Sequence, residues 1–143
     1  MRALFLIDTQ EDVFELEQFI TLDERLNIDE YDVVSLFDFV GNDKPFEEMW
    51  DNIDTDQYDI VVVDYSSLLP YGRGNDETLC SHAEHKIMKY LVPIKKPIIV
   101  TTSILFMSSD FIERVYNTDN LHFAVRASEL NNIIGEIYGR KNY

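Results

Sequence analysis

Residues 58–72 read YDIVVVDYSSLLPYG. Ile60, Val61, Val62 and Val63 form an unbroken β-branched run with no alternation of polar and apolar positions, the pattern of a strand buried on both faces. Residues 58–63 therefore read as a strand. It runs straight into an acid, Asp64, and then into a segment rich in Ser, Pro and Gly. A carboxylate at the end of the most apolar run in the chain can cap a loop, hold a cation, accept a phosphoryl group or position a substrate.

The same form recurs on both sides of this stretch. Residues 2–7 (RALFLI) read as a strand ending at Asp8. Residues 32–37 (DVVSLF) are closed by Asp38 and the turn residues Gly41, Asn42 and Asp43. Residues 96–100 (KPIIV) end at Thr101, Thr102 and Ser103, and residues 121–125 give a short fifth strand. Helical spacing fills the intervals. Glu11 and Asp12 open a helix carrying Val13, Leu16, Phe19 and Ile20. Pro45 sits in the first turn of a helix with Phe46, Met49, Trp50 and Ile53. A third helix spans 76–91, with Leu79, Ala83, Ile87 and Tyr90 or Leu91 facing inward, and is stopped by Pro93. Ser108, Ser109 and Asp110 cap a helix with Phe111, Ile112 and Val115. Ser128 caps a last one with Leu130, Ile133, Ile134 and Ile137, ended by Gly139.

Apolar strands alternating with helices, without internal repeat or linker, predict a single α/β domain over residues 1–143. It is a doubly wound three-layer sandwich around a five-stranded parallel sheet. At 143 residues, 45% apolar and 13% aromatic, the chain is large enough to bury one substantial core. The formal net charge of −15 repels phosphate backbones and anionic lipid, which argues against nucleic-acid or membrane-surface binding. A basic partner or a bound cation fits that charge, which also keeps the protein soluble. A single cysteine, Cys80, excludes an intramolecular disulfide and a cysteine-rich zinc site, and suggests a reducing compartment. The N-terminal apolar run is too short for the core of a signal peptide. No run approaches the ~20 apolar residues that span a bilayer. A cytoplasmic location is the expectation.

In a doubly wound sheet the functional crevice lies beyond the carboxyl ends of the strands. Those ends carry Asp8, Asp38, Asp64, Thr101 with Thr102, and Arg126. Crowded carboxylates repel one another, and a hard divalent cation such as Mg²⁺ relieves the repulsion. Solvated helix caps are the alternative account of the same acids.

In element order and in these residues the whole chain resembles a response-regulator receiver domain, the phosphoacceptor module of two-component signalling. The resemblance implies a flavodoxin-like sheet of order 2-1-3-4-5 and Asp64 as the phosphoacceptor. It implies Asp8 as a ligand of Mg²⁺; Ile7 stands where the family has a second acid, a place that Glu11 or Asp12 fills only by reaching back from the helix. Thr101 or Thr102 matches the family's switch hydroxyl. Arg126 stands where the family has a lysine and Ala127 where it has a proline, and Pro70 and Gly72 lie further along than their family counterparts. The resemblance implies a signalling or protein-interaction module, phosphorylated or acting only by binding, whose partner is a histidine kinase or an output domain.

A second resemblance is to nucleoside deoxyribosyltransferase-like enzymes, which place a glutamate nucleophile on the helix after such a loop. Glu84 matches that position, followed by Lys96-Pro97, although the family's Ser-Gly-Thr is missing. Smaller signals remain. The segment Gly72-Arg73-Gly74-Asn75-Asp76 offers amides to an anion or simply turns. His82 and His85 are one helical turn apart, as in a metal pair or on a solvated face. His122 lies inside the fifth strand, where packing is expected. Tyr65 and Tyr71 are placed to shape a pocket beside Asp64.

Overall fold

The structure, a computed structural model, describes residues 1–7, 28–35, 43–68, 83–101, 109–124 and 133–137. The strands are β1 (Arg2–Ile7), β2 (Glu30–Ser35), β3 (Ile60–Asp64), β4 (Ile98–Thr101) and β5 (Leu121–Ala124). They form one five-stranded sheet, every pair parallel, in the order β2-β1-β3-β4-β5. This is the order of flavodoxin-like sheets, and the α/β architecture expected from the alternation is the one observed.

The helices are α1 (Asp43–Asp51), α2 (83–91), α3 (Ser109–Tyr116) and α4 (133–137). Strand alternation divides the core in two. Leu4, Leu6, Val61, Val63, Ile98 and Val100 meet Phe46 and Trp50 of α1, Ala83, Ile87 and Leu91 of α2, and Phe111 and Val115 of α3. Ala3, Phe5, Ile60, Val62, Ile99 and Ala124 face the other way, onto Ile133, Ile134 and Ile137 of α4. Both faces of the sheet are covered. The steps β2→β3→β4→β5 all run in one direction, so right-handed crossovers stack α1, α2 and α3 on one face. Each fully buried aliphatic or aromatic side chain contributes about 1.5–3 kcal/mol.

Three strand starts differ from the sequence expectation, each because a contact there claims the backbone or a side chain. β2 begins at Glu30 rather than Asp32, since Glu30 and Tyr31 pair in register with Arg2 and Ala3. On an edge strand the polar Glu30 stays in solvent. β3 begins at Ile60 rather than Tyr58. The Asp54 side chain accepts from the Asp56 N–H at 3.2 Å and nucleates the 3₁₀ turn Thr55–Gln57, and the Tyr58 N–H closes that turn on Thr55 O. β4 begins at Ile98, because Lys96 donates its ammonium to Thr55 O at 2.5 Å and its carbonyl accepts from Asn120 Nδ2 at 3.0 Å.

α2 ends at Leu91, two residues before Pro93, where the sequence placed its end. The last part of α2, Ile87–Leu91, is a π turn, with the Val92 N–H on Ile87 O. The 3₁₀ turn Val92–Ile94 follows, with Pro93 in its opening residues, where a missing N–H costs nothing. The chain leaves this turn at Lys95, in the left-handed region at φ 60°. Helix 76–91 is thus described from 83 onward, with Ala83, Ile87 and Leu91 buried and Tyr90 half-buried.

Candidate functional site

The order β2-β1-β3-β4-β5 reverses direction between β1 and β3, which is where a doubly wound sheet opens a crevice at its carboxyl edge. β3 delivers Asp64 to that edge. Val61, Val62 and Val63 are buried on both faces, and the burial ends at Asp64, whose side chain is half-buried. Asp64 lies in register with Thr101, the last residue of β4. Leu6 of β1 pairs with Val63, so β1 ends beside Asp64 on its other flank. The half-buried Thr101 hydroxyl donates to Val63 O at 3.4 Å, a long contact that leaves its oxygen open to a second partner.

The floor of this edge is aromatic. Tyr65, directly after Asp64, begins the 3₁₀ turn Tyr65–Leu68 and is fully buried. Its ring packs on Phe111 at 5.9 Å, and Phe111 packs on Phe123 at 6.0 Å. Tyr65 therefore belongs to the core rather than to an open surface.

Of the expected site residues, Asp64 and Thr101 are brought together. Asp8, Glu11, Asp12, Asp38, Thr102 and Arg126 lie outside the described residues, as do Tyr71, Cys80, His82 and 72–76. Among the described residues no three His, Cys, Asp or Glu side chains converge on a metal-sized point. Glu84 is half-buried on α2 and His85 is exposed. His122 lies on β5 facing the α4 side, and burial holds its imidazole below the ordinary range against an opposing pull from Glu136. Among the described residues no helix is long and apolar enough to cross a membrane.

Two polar features were not expected from the sequence. At the amino edge of the sheet, Arg2 Nη2 and the Tyr58 hydroxyl both donate to Asp32 Oδ2 at 2.7 Å, and the guanidinium lies 5.3 Å from the Tyr58 ring centre. The Tyr58 and Arg2 hydrogen bonds hold the Asp32 carboxyl below its usual range. Burial, reinforced by Asp32, pushes Tyr58 up to about 12. This cluster ties the starts of β1, β2 and β3 together and lies at the opposite edge from Asp64. Opposite charges opening two neighbouring strands, Arg2 and Asp32, were the available signal. The second feature is Lys86 of α2, 1% exposed, with its ammonium 5.8 Å from the Phe46 ring centre. Its spacing of three from Ala83 placed it on the inner stripe, and its charge hid it.

Comparison with protein-family models and with curated proteins finds no match to this chain.

Proposed function

We propose that the chain is a receiver-like signalling or protein-interaction module with Asp64 as its phosphoacceptor. The observation supporting this is the register that sets the half-buried Asp64 beside Thr101 on the next strand, at the carboxyl edge of a 2-1-3-4-5 sheet. A carboxylate oxygen of Asp64 attacks the phosphorus of a phosphodonor, and the donor's leaving group departs with the bonding electrons. The product is an acyl phosphate. The Thr101 hydroxyl is one strand away and turns from Val63 O toward the new phosphoryl oxygens. Arg126 and Thr102 are the further groups assigned to those oxygens, Arg126 by bidentate donation.

Asp64 is a hard oxygen donor at an edge that water reaches, which suits Mg²⁺ with some of its waters retained. Asp8, with Glu11 or Asp12, completes the proposed ligand set. When bound, the cation offsets charge on the phosphoryl oxygens. The partner is a histidine kinase or an output domain.

Acetyl phosphate with Mg²⁺ is the test. Intact-mass analysis should show one added phosphoryl group on the wild-type protein and none on Asp64→Asn. Thr101→Val should still be modified but should lose any accompanying change in Trp50 emission. No modification of the wild type leaves a module that acts by binding alone. Base exchange between deoxynucleosides, abolished by Glu84→Ala, overturns the signalling reading in favour of an enzyme.

A further inference from the structure

Asp64 is the last residue of β3, and the chain beyond it is anchored at once. Tyr65 and Leu68 bound the 3₁₀ turn that follows, and both are buried in the cluster shared with α1, α2 and α3. Residues three apart lie on one side of such a turn, so the turn rests on the core through these two side chains. The Tyr65 ring packs on Phe111 at 5.9 Å, in the first turn of α3, and Phe111 packs on Phe123 of β5 at 6.0 Å. Strand pairing closes the circuit. Phe123 pairs with Val100 and Ala124 with Thr101 on β4, and Thr101 pairs with Asp64 on β3. Three aromatic rings thus brace β3 and β5, the strands on either side of Thr101. Alternation gives Tyr65 to the face of Val61 and Val63, and gives Asp64 and Thr101 together to the opposite one.

We propose that Tyr65 is a positioning residue for Asp64: its ring, seated on Phe111, fixes the end of β3 so that the carboxylate stays beside Thr101. The role rests on the reading of Asp64 as the phosphoacceptor. Tyr65 is fully buried and acts through the main chain of Asp64, without touching the phosphodonor. Transfer needs a carboxylate oxygen in line with the phosphorus, and a misplacement of about 1 Å at a reacting centre costs on the order of 100-fold in rate. Leucine at either ring position keeps the core apolar but loses the aromatic contact, so the strand end gains freedom. The groups that meet the donor are unchanged, and the loss therefore falls on kcat and not on KM.

The test pairs transfer kinetics with amide hydrogen exchange in the full chain. With acetyl phosphate and Mg²⁺, Tyr65→Leu and Phe111→Leu should each lower kcat at least tenfold with KM unchanged. The double variant should lose no more than either single one, because both remove one contact. Tyr65→Phe keeps the ring and should stay within twofold of the wild type. Val115→Ala, which removes buried packing from the same helix outside the ring contact, should lower the urea midpoint and leave kcat unchanged. Amides of residues 64–66 should exchange at least tenfold faster in Tyr65→Leu, with those of β1 unaffected. A wild type that takes no phosphoryl group refutes the reading of Asp64, and the exchange arm then decides by itself whether the ring holds the strand end. Unchanged exchange in Tyr65→Leu overturns the proposal. So does a kcat that survives both leucine variants, or one that falls as far in Tyr65→Phe or in Val115→Ala.

Discussion

Replacing Tyr58 with Phe isolates one hydrogen bond from the packing around it. The ring is 6% exposed and stays in the core under the Arg2 guanidinium, so the apolar burial survives and only the donation to Asp32 Oδ2 is lost. A hydrogen bond to a charged acceptor contributes about 1.5–3 kcal/mol. The Asp32 side chain is 44% exposed, so water replaces much of the lost donor and Arg2 keeps its own bond to the same oxygen. The expected loss is about 1 kcal/mol at neutral pH, or about 3 °C in Tm for a chain of this size.

The pH dependence carries the stronger signature. Asp32 sits below its ordinary pKa in the folded protein, first because of Tyr58 and then because of Arg2. The stabilisation is therefore complete above the unfolded carboxylate value, about 4, and disappears as pH falls through the lower folded value. Tyr58 is shifted the opposite way, up to about 12 from 10.0. The folded state keeps its proton where the unfolded state has released it, so stability is intact below pH 10 and declines as pH rises toward about 12. Urea unfolding of wild type and Tyr58→Phe between pH 2 and 9 measures the acid limb. Absorbance of the phenolate measures the alkaline one, since the variant should lack a tyrosine that titrates at about 12. Equal stability at pH 7, or a difference that persists unchanged at pH 2, would refute the assignment of the Tyr58–Asp32 bond.

Three further outcomes are expected. Burial lowers the pKa of His122 despite Glu136, so the wild type should lose stability as pH falls from about 6.5 through the lower folded value. Urea midpoints of His122→Gln should stay flat across that interval, and Glu136→Gln should steepen the wild-type loss. Lys95 holds a left-handed backbone conformation at φ 60° after the 3₁₀ turn, so Lys95→Gly should raise stability by about 1 kcal/mol in a chemical melt. Ile99, fully buried at the centre of β4, should cost about 2–5 kcal/mol as Ile99→Ala, with the far-UV spectrum retained.

The strands and their parallel pairing were legible in the sequence because each rests on a repeated local signal, whereas their order was expected only from the resemblance to receiver domains. Ile60 to Val63 can be buried on both faces only in a covered parallel sheet, and the helical stripes Phe46–Trp50, Ala83–Ile87–Leu91 and Phe111–Val115 supply the cover. The position of Asp64 at the carboxyl edge follows from chain direction, which a parallel sheet makes the same for every strand. Its partnership with Thr101 needed the register Asp64↔Thr101, set by the pairing of Val61 with Ile98 and not by either segment alone. The strand starts were set by contacts across the chain: Glu30 by pairing with Arg2, and Ile98 by the hold of Thr55 on Lys96. The Arg2–Asp32–Tyr58 cluster joins residues 30 and 26 positions apart, so no local pattern contains it. Lys86 is the sharpest case. Composition assigns a lysine to solvent, and only the packing of α1 against α2, with a π turn at Ile87, puts its charged end over the Phe46 ring. Periodicity determined which segments form and which faces they bury. Register, helix phase and the pairing of distant charges depend on the free energy of the whole assembly, and the tertiary structure decided them.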